Sequence, residues 1–288
     1  TARGRKQVGV DAVGPRVQRV SALGRDWDIE LSWSGTPETE RTLVLLHEGL
    51  GSVAMWKDFP QALADATASR VLTYSRPGYG QSTPRGPEEH WSPRFMHEQA
   101  LALLPALLDA LDLRQPVHLV GHSDGGSIAL LAAAHHPERV ASCVVMAPHT
   151  HVEDISVASI AQARVAYQAD NSKLRQSLAR YHADVDSAFY GWNDAWLSPA
   201  FRDWNIEAET AGISCPLMAI QGLNDEYGTL EQIRGIQRRS PHAQRVELPN
   251  CGLRRDQDSI TSPSRTKKLM VCTSNTRRSA SNIRICTT

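Results

Sequence analysis

The sequence predicts one α/β domain in which a mainly parallel, twisted β-sheet carries helices on both faces and a helical insertion. Short apolar runs alternate with helical patterns along most of the chain; this alternation stops between about residues 152 and 211 and then resumes. The 288 residues, 41% of them hydrophobic, are sufficient for one large core.

The first half of the chain contains the clearest strand signals. Val20–Trp33 alternates well enough for a pair of strands near the sheet edge. Continuous apolar runs, typical of strands buried on both faces, follow at Thr42–Leu46, Arg70–Tyr74, Pro116–Val120 and Val140–Met146. Helices are predicted over Phe95–Leu113, where leucines recur at helical spacing, and over Gly126–His135.

The segment of residues 152–211 is richer in charged and aromatic residues and is predicted to form helices without a strand. An insertion at this point is most simply a lid over the carboxyl edge of the sheet. The earlier rhythm returns with a strand at Pro216–Ile220, a helix at Leu230–Arg239 and a strand at Gln244–Leu248. The predicted organisation is a core of residues 20–151 and 212–252, a cap of residues 152–211 and an atypical tail of residues 253–288.

The tail differs from the body in composition. From Cys251 to Thr288 there are eight Lys or Arg residues and two Asp or Glu residues, although both totals for the whole chain are 31. The segment is rich in Ser, Thr and Arg and has no apolar stripe at helical spacing. This composition predicts disorder.

Charge and cysteine usage exclude several classes of protein. The net charge of zero gives no reason to expect a nucleic acid or an anionic membrane as partner. Five widely spaced cysteines without a CxxC pair argue against a disulfide framework and a zinc site, and Cys143 and Cys215 are expected to pack as small hydrophobes. No apolar stretch is long enough for a transmembrane helix and no signal peptide is visible, which favours a soluble, cytoplasmic protein.

The strongest motif is Gly121–Gly125, a G-x-S-x-G sequence between a predicted buried strand and a predicted helix. A nucleophile at such a sharp turn needs small residues two positions before and after it, and both are glycine here. The helix N-terminus adds main-chain N–H groups where negative charge develops on a substrate. We therefore predict Ser123 as the nucleophile; the alternative is a tight turn whose serine only caps the helix.

Two further segments follow buried strands and complete this chemistry. The loop His47–Ser52 can supply one oxyanion-hole N–H and the residue after the nucleophile the other, so Gly49 and Asp124 are the predicted donors. Asp225, in the turn after Pro216–Ile220, is the predicted acid that orients a histidine. Each segment could also be an ordinary turn.

The successive segments resemble those of bacterial α/β hydrolases related to carboxylesterases and carbon–carbon bond hydrolases; they are LVLLHEGLGS, YSRPGYGQS, GHSDGG, QGLNDEYG and VELPNCG. The resemblance covers roughly residues 20–252. It implies the α/β-hydrolase fold, a Ser–His–Asp mechanism without cofactor or metal, a small-molecule substrate, and a lid that helps to select it. It places the nucleophile on Ser123, the acid on Asp225 and the oxyanion donors on Gly49 and Asp124.

Two positions depart from that pattern. The family usually has glycine directly after the loop histidine, where this chain has Glu48. Its catalytic histidine normally follows the last strand as Gly-His, whereas Gly252 is followed by Leu253. Only one histidine, His242, follows Asp225 in the sequence. It precedes the last strand and is therefore predicted to lie at the end of the sheet opposite to Ser123.

Three explanations of the missing base remain open: a frame shift of the coding sequence near Gly252, a natural pseudoenzyme, and rescue by His149 or His151 at the carboxyl edge. The sequence therefore predicts a serine-type hydrolase of a small, partly apolar ester or an activated carbon–carbon bond. The rival is a non-catalytic ligand-binding protein on the same fold. Four cap aromatics favour an apolar pocket or form the core of the cap: Phe189, Tyr190, Trp192 and Trp196.

Overall fold

The computed structural model describes residues 16–249 and 251–252; the predicted tail of residues 253–288 lies outside them. Eight strands form one sheet. They are β1 Arg16–Ala22, β2 Arg25–Ser34, β3 Thr42–Leu46, β4 Arg70–Tyr74, β5 Val117–His122, β6 Val140–Met146, β7 Leu217–Gly222 and β8 Gln244–Leu248. Across the sheet their order is β1-β2-β4-β3-β5-β6-β7-β8.

The sheet is parallel except at one edge. β1 pairs antiparallel with β2, and β2 pairs antiparallel with β4. All other neighbours are parallel. Every residue of β3 is buried, as the unbroken apolar run predicts for a central strand with both faces covered. The sheet therefore confirms the predicted fold class.

Helices fill the connections. They are α1 Phe59–Thr67, α2 Phe95–Glu98, a π-helical turn Gln99–Leu103, α3 Leu104–Ala110, α4 Asp124–His135, α5 Asp154–Gln168, α6 Lys173–Leu178, α7 Val185–Leu197, α8 Glu207–Thr210 and α9 Glu231–Arg239. Two 3₁₀ turns, Val53–Trp56 and Pro199–Phe201, complete the set in the described residues.

The predicted single helix over Phe95–Leu113 differs from the structure in two ways. It ends at Ala110, and a π-helical turn interrupts it at Gln99–Leu103. Pro105 lies just beyond this turn, and it has no N–H to donate within a regular α-helix. The wider turn accommodates the proline without breaking the helix.

Apolar residues cover both faces of the sheet. On one face, Trp56, Phe59 and Leu63 pack with buried side chains of the central strands. The larger cluster on the other face includes α3, α4 and α9 and continues into the helices between β6 and β7. Cys143 and Cys215 are buried and unbridged, as expected of small hydrophobes.

Between β6 and β7, all residues are described and they form four helices and a 3₁₀ turn without a strand. An isolated bridge joins His151 to Asn205 at the base of this insertion. Its buried aromatic residues belong to the same cluster as the sheet-covering helices; they are Tyr167, Phe189, Trp192, Trp196, Phe201 and Trp204.

Candidate active site

Ser123 lies at the turn between β5 and α4 with an unusual backbone conformation. Its φ of 52° and ψ of −121° are strained for a residue other than glycine, at a cost of about 1–3 kcal/mol. The turn is held by main-chain hydrogen bonds: Ser123 N–H donates to the Met146 oxygen at 2.9 Å, and Ser123 oxygen accepts from Gly126 N–H at 2.8 Å. The strain is thus enforced by the neighbouring strand and the first turn of α4.

The glycines around Ser123 are required by close main-chain contacts. A Cβ on Gly121 would lie 2.2 Å from the Gly125 oxygen, and one on Gly125 would lie 2.2 Å from the Leu46 oxygen. At Gly126 the nearest atom would be the Pro148 Cβ at 3.2 Å, so this position has more room. The need for small residues two positions before and after the serine therefore has a direct steric cause.

The loop after β3 is fixed by a buried arginine. The main-chain N–H of Arg76 donates to His47 Nε2 at 3.0 Å, and Arg76 Nη2 donates to the main-chain oxygen of Glu48 at 2.8 Å. His47 Nδ1 contacts that same oxygen at 2.7 Å, which fits an Nδ1–H tautomer. Burial, reinforced by the Arg76 charge, holds the pKa of His47 well below its usual range, so this imidazole is neutral.

Glu48 and His122 face each other at the carboxyl edge of the sheet. Glu48 Oε2 lies 3.6 Å from His122 Nδ1, and both side chains are about one-fifth exposed. The residue that replaces the expected loop glycine therefore pairs with the residue before Ser123.

Asp124, directly after Ser123, is a buried carboxyl group. Its Oδ1 accepts a hydrogen bond from Trp196 Nε1 of α7 at 3.1 Å. Burial raises the pKa of Asp124 to about 6, against the opposing effects of the Arg76 charge and the Trp196 hydrogen bond. One turn earlier in α7, Trp192 lies against Gly49. The two predicted oxyanion residues are therefore both in contact with one helix.

Asp225 is positioned by one group of its own turn and one of the preceding strand β7. Its Oδ1 accepts from Tyr227 N–H at 2.9 Å, and its Oδ2 accepts from Gln221 Nε2 at 2.7 Å. Burial raises the pKa of Asp225 to about 6 despite the hydrogen bond from Tyr227 N–H. A carboxylate has about four acceptor sites, so a further donor can still bind.

The chain after β8 returns to this turn. Asn224 N–H donates to the Cys251 oxygen at 2.9 Å, and a Cβ on Gly252 would lie 2.3 Å from the Asn224 oxygen. Gly252 is therefore packed directly beside Asp225's turn. Leu253, which stands where a histidine is expected, lies outside the described residues.

The other histidines have separate surroundings. His149 is buried, and its ring packs edge-on against that of Trp196 with 4.8 Å between the ring centroids. Its Nδ1 has no hydrogen-bond partner among the described residues, and burial lowers the pKa of His149 to about 4. His151 lies near Thr150 and Glu207. His118 contacts Ser142 within the sheet, and His242 contacts the Cys215 oxygen before β7, at the opposite end from Ser123.

The predicted residues share one edge of the sheet, because Gly49, Ser123 with Asp124, and Asp225 follow the carboxyl ends of β3, β5 and β7. The sequence pattern alone indicated no role for Arg76, Gln221 or the contact of Trp196. Arg76 lies in the segment YSRPGYGQS directly after a buried strand, a position that could have indicated a role. The other two contacts depend on side-chain directions that the pattern does not contain.

The described residues contain neither a helix that could span a membrane nor a cluster of metal-binding side chains. No helix there combines the length and apolar character needed to cross a lipid bilayer. No trio of histidine, cysteine, aspartate or glutamate side chains in the same residues is placed to hold a metal ion.

Comparison with known proteins agrees with this architecture. The family model described as alpha/beta hydrolase fold matches residues 41–189, just over half of the chain. The "Putative carbamate hydrolase RutD" of Caulobacter sp. (strain K31) is 26% identical over 229 residues, covering 73% of this chain and 82% of that protein. Mouse sn-1-specific diacylglycerol lipase ABHD11 is 25% identical over 236 residues, covering 73% of this chain and 74% of that protein.

A similar fold occurs in the crystal structure of the enol-lactonase from Burkholderia xenovorans LB400. The TM-score is 0.61 at 21% identity, with 80% of this chain and 90% of that chain covered. Both the sheet order and the strained serine turn fit these similarities. The chain belongs to the family of alpha/beta-hydrolase-fold proteins.

Proposed function

We propose that this protein is a serine-type hydrolase that cleaves a small, partly apolar ester, or an activated carbon–carbon bond, through an acyl-enzyme on Ser123. The observation that carries the proposal is the strained serine between β5 and α4, with Asp225 at the same sheet edge. The names of the relatives, a carbamate hydrolase and a diacylglycerol lipase, support a hydrolase. The helices of residues 152–211 form a cap that helps to select the substrate.

In the proposed reaction, Ser123 Oγ forms a bond to the substrate carbonyl carbon while its proton passes to a histidine base. The main-chain N–H groups of Gly49 and Asp124 stabilise the negative oxygen. The leaving group departs with the proton of the imidazolium. Water then attacks the acyl carbon and releases Ser123.

The base is the element that the described residues do not supply. Gly252, after which the family's histidine is expected, packs against the main-chain oxygen of Asn224 in the turn that contains Asp225. In the proposed mechanism the missing base is a histidine directly after Gly252, whose imidazole the Asp225 carboxylate would orient. The change in charge and composition after Gly252 supports a damaged or shifted reading frame as the origin of Leu253.

A fluorophosphonate probe, which labels an activated serine, tests the proposal. We expect strong labelling of Leu253→His, and we expect labelling of the original chain to be lower by about a thousandfold or more. Ser123→Ala in the Leu253→His background is the control and should abolish labelling. A folded Leu253→His protein that stays unlabelled would contradict the assignment of the three residues.

The second candidate is a ligand-binding protein without catalysis. It is favoured by Leu253 and by the histidines of the described residues, since His118 and His242 are engaged elsewhere and burial lowers the pKa of His149 to about 4. Binding of a small ester without turnover, unchanged by Leu253→His, would support it.

A further inference from the structure

One face of α7 contacts both predicted donors of the oxyanion hole. Trp192 and Trp196 are four residues apart, so their side chains leave the helix on the same side. Trp196 reaches the Asp124 side chain, and Trp192 reaches Gly49. The cap thus touches the hole at two points one helical turn apart.

The two indole N–H groups are used differently. Trp196 Nε1 donates to Asp124 Oδ1 at 3.1 Å, whereas Trp192 Nε1 makes no hydrogen bond in the described part of the chain. Trp192 is 7% exposed and Trp196 is 2% exposed. Unlike Nε1 of Trp204, that of Trp192 is not fully buried, so a bound group can reach this donor and accept its hydrogen bond.

The position of this donor is set by Gly49. A Cβ on Gly49 would lie 2.2 Å from Trp192 Nε1 and 2.4 Å from its Cδ1, so the N–H edge of the indole occupies the place of a side chain. The free donor is therefore beside the residue whose main-chain N–H is assigned to the oxyanion. It also gives a reason for glycine at position 49 that a turn alone does not require.

We infer that Trp192 Nε1–H is a third donor of the oxyanion hole, supplied by the cap; this rests on the proposed function. When Ser123 Oγ bonds to the carbonyl carbon, the π electrons of the carbonyl move to its oxygen and the serine proton passes to the base. Trp192 keeps its own proton and donates a hydrogen bond to the negative oxygen. Full stabilisation of that oxygen then requires the cap helix to be in place.

Phenylboronic acid tests this in the full chain and in Leu253→His. It forms a bond from Ser Oγ to boron, with loss of the serine proton to solvent, and gives an anionic tetrahedral adduct. The adduct is detected by ¹¹B NMR and its affinity by calorimetry. A hydrogen bond to a charged group is lost in Trp192→Phe, so we expect the affinity to fall by about tenfold or more.

Trp204→Phe is the matched control. Trp204 is also a buried cap tryptophan, 8% exposed, with an unpaired Nε1, and it stacks on Phe201 at 5.2 Å. Its replacement should change boronate affinity by less than about twofold, as expected of a tryptophan that does not touch the oxyanion. Benzamide, a neutral trigonal analogue, should lose less affinity in Trp192→Phe than the boronate does.

The outcomes separate this inference from the proposed function. If Ser123→Ala abolishes the adduct but Trp192→Phe binds as the parent does, Trp192 is not a donor and the nucleophile stands. Equal losses for benzamide and boronate would make Trp192 a packing residue and would also overturn the inference. Absence of an adduct in both the original chain and Leu253→His contradicts the nucleophile, and the inference with it.

Discussion

At the scale of single residues, the region around Ser123 contains several buried polar groups whose charge states are set by desolvation. Burial favours the neutral form, so it raises the pKa values of Asp124 and Asp225 to about 6 and lowers that of His149 to about 4. His149 is also held through its main chain, because Ser127 Oγ donates to its oxygen at 2.6 Å. The ring is therefore fixed beside Trp196 and stays neutral near pH 7.

The neutral state of His149 predicts a pH-dependent stability. Between its folded pKa of about 4 and its ordinary value of 6.5, the unfolded chain binds a proton that the folded chain does not. Stability should therefore rise with pH across this window, by up to about 3 kcal/mol from this group. In denaturant titrations from pH 4 to 7.5, His149→Phe should lack this part of the rise, so its stability relative to the parent should be greatest near pH 4. Parallel curves for the two proteins would show that His149 is not buried neutral.

At the scale of elements, the turn from β5 to α4 combines a strained serine with two glycines that differ in how much space they leave for a side chain. Gly125 meets main-chain oxygen atoms of Leu46 and His47, which cannot move without displacing the loop after β3. A Cβ on Gly126 would lie 3.2 Å from Pro148 Cβ and 3.5 Å from the main-chain oxygen of Gly121, so a shift of a few tenths of an ångström would accommodate it. The packing of α4 on the sheet therefore depends on the first of these glycines more than on the second.

Two alanine substitutions distinguish these positions. Gly125→Ala should destabilise the protein by about 3 kcal/mol or more, because overpacking against main chain forces α4 and the loop apart. Gly126→Ala should change stability by less than about 1 kcal/mol, since the better helix propensity of alanine offsets a slight contact. Chemical denaturation at one pH compares them, and equal effects would contradict the steric account.

At the scale of the whole molecule, the cap and the sheet share one apolar cluster. Phe201 is fully buried. Its ring centroid lies 5.8 Å from that of Phe95 in α2 and 5.0 Å from that of Trp196 in α7. His182 adds polar links: its Nδ1 accepts from Gly80 N–H at 2.9 Å, and its Nε2 lies 3.1 Å from the Leu50 oxygen. These contacts join the cap to both loops that follow β3 and β4.

Because of this shared cluster, we expect the cap to unfold together with the sheet. Phe201→Ala should lower the stability of the whole protein by about 3–5 kcal/mol and keep a single thermal transition. The control is Val165→Ala on the outer face of α5, where Val165 is 72% exposed and a change below about 0.5 kcal/mol is expected. Two separate transitions, with only the first shifted in Phe201→Ala, would identify the cap as an independent unit.

The sequence predicted those features that local pattern determines. Thr42–Leu46, Arg70–Tyr74 and Val140–Met146 are strands with the predicted bounds, because a glycine or proline follows each apolar run within three residues. The positions of Ser123 and Asp225 also follow from the alternation of strands and helices. The pairing of Glu48 with His122 and the contacts of α7 with Gly49 and Asp124 could not be predicted, because they join segments far apart in the chain through side-chain directions.

The π-helical turn at Gln99–Leu103 constrains the length of its segment as well as its composition. Phe95, before the turn, contacts Phe201 of the cap, whereas α3, after the turn, lies against β1. An α-helix advances about 100° per residue, so removing one residue there would rotate Phe95 by that angle relative to α3. Substitutions in this segment should therefore accumulate among related proteins far more readily than insertions or deletions of single residues.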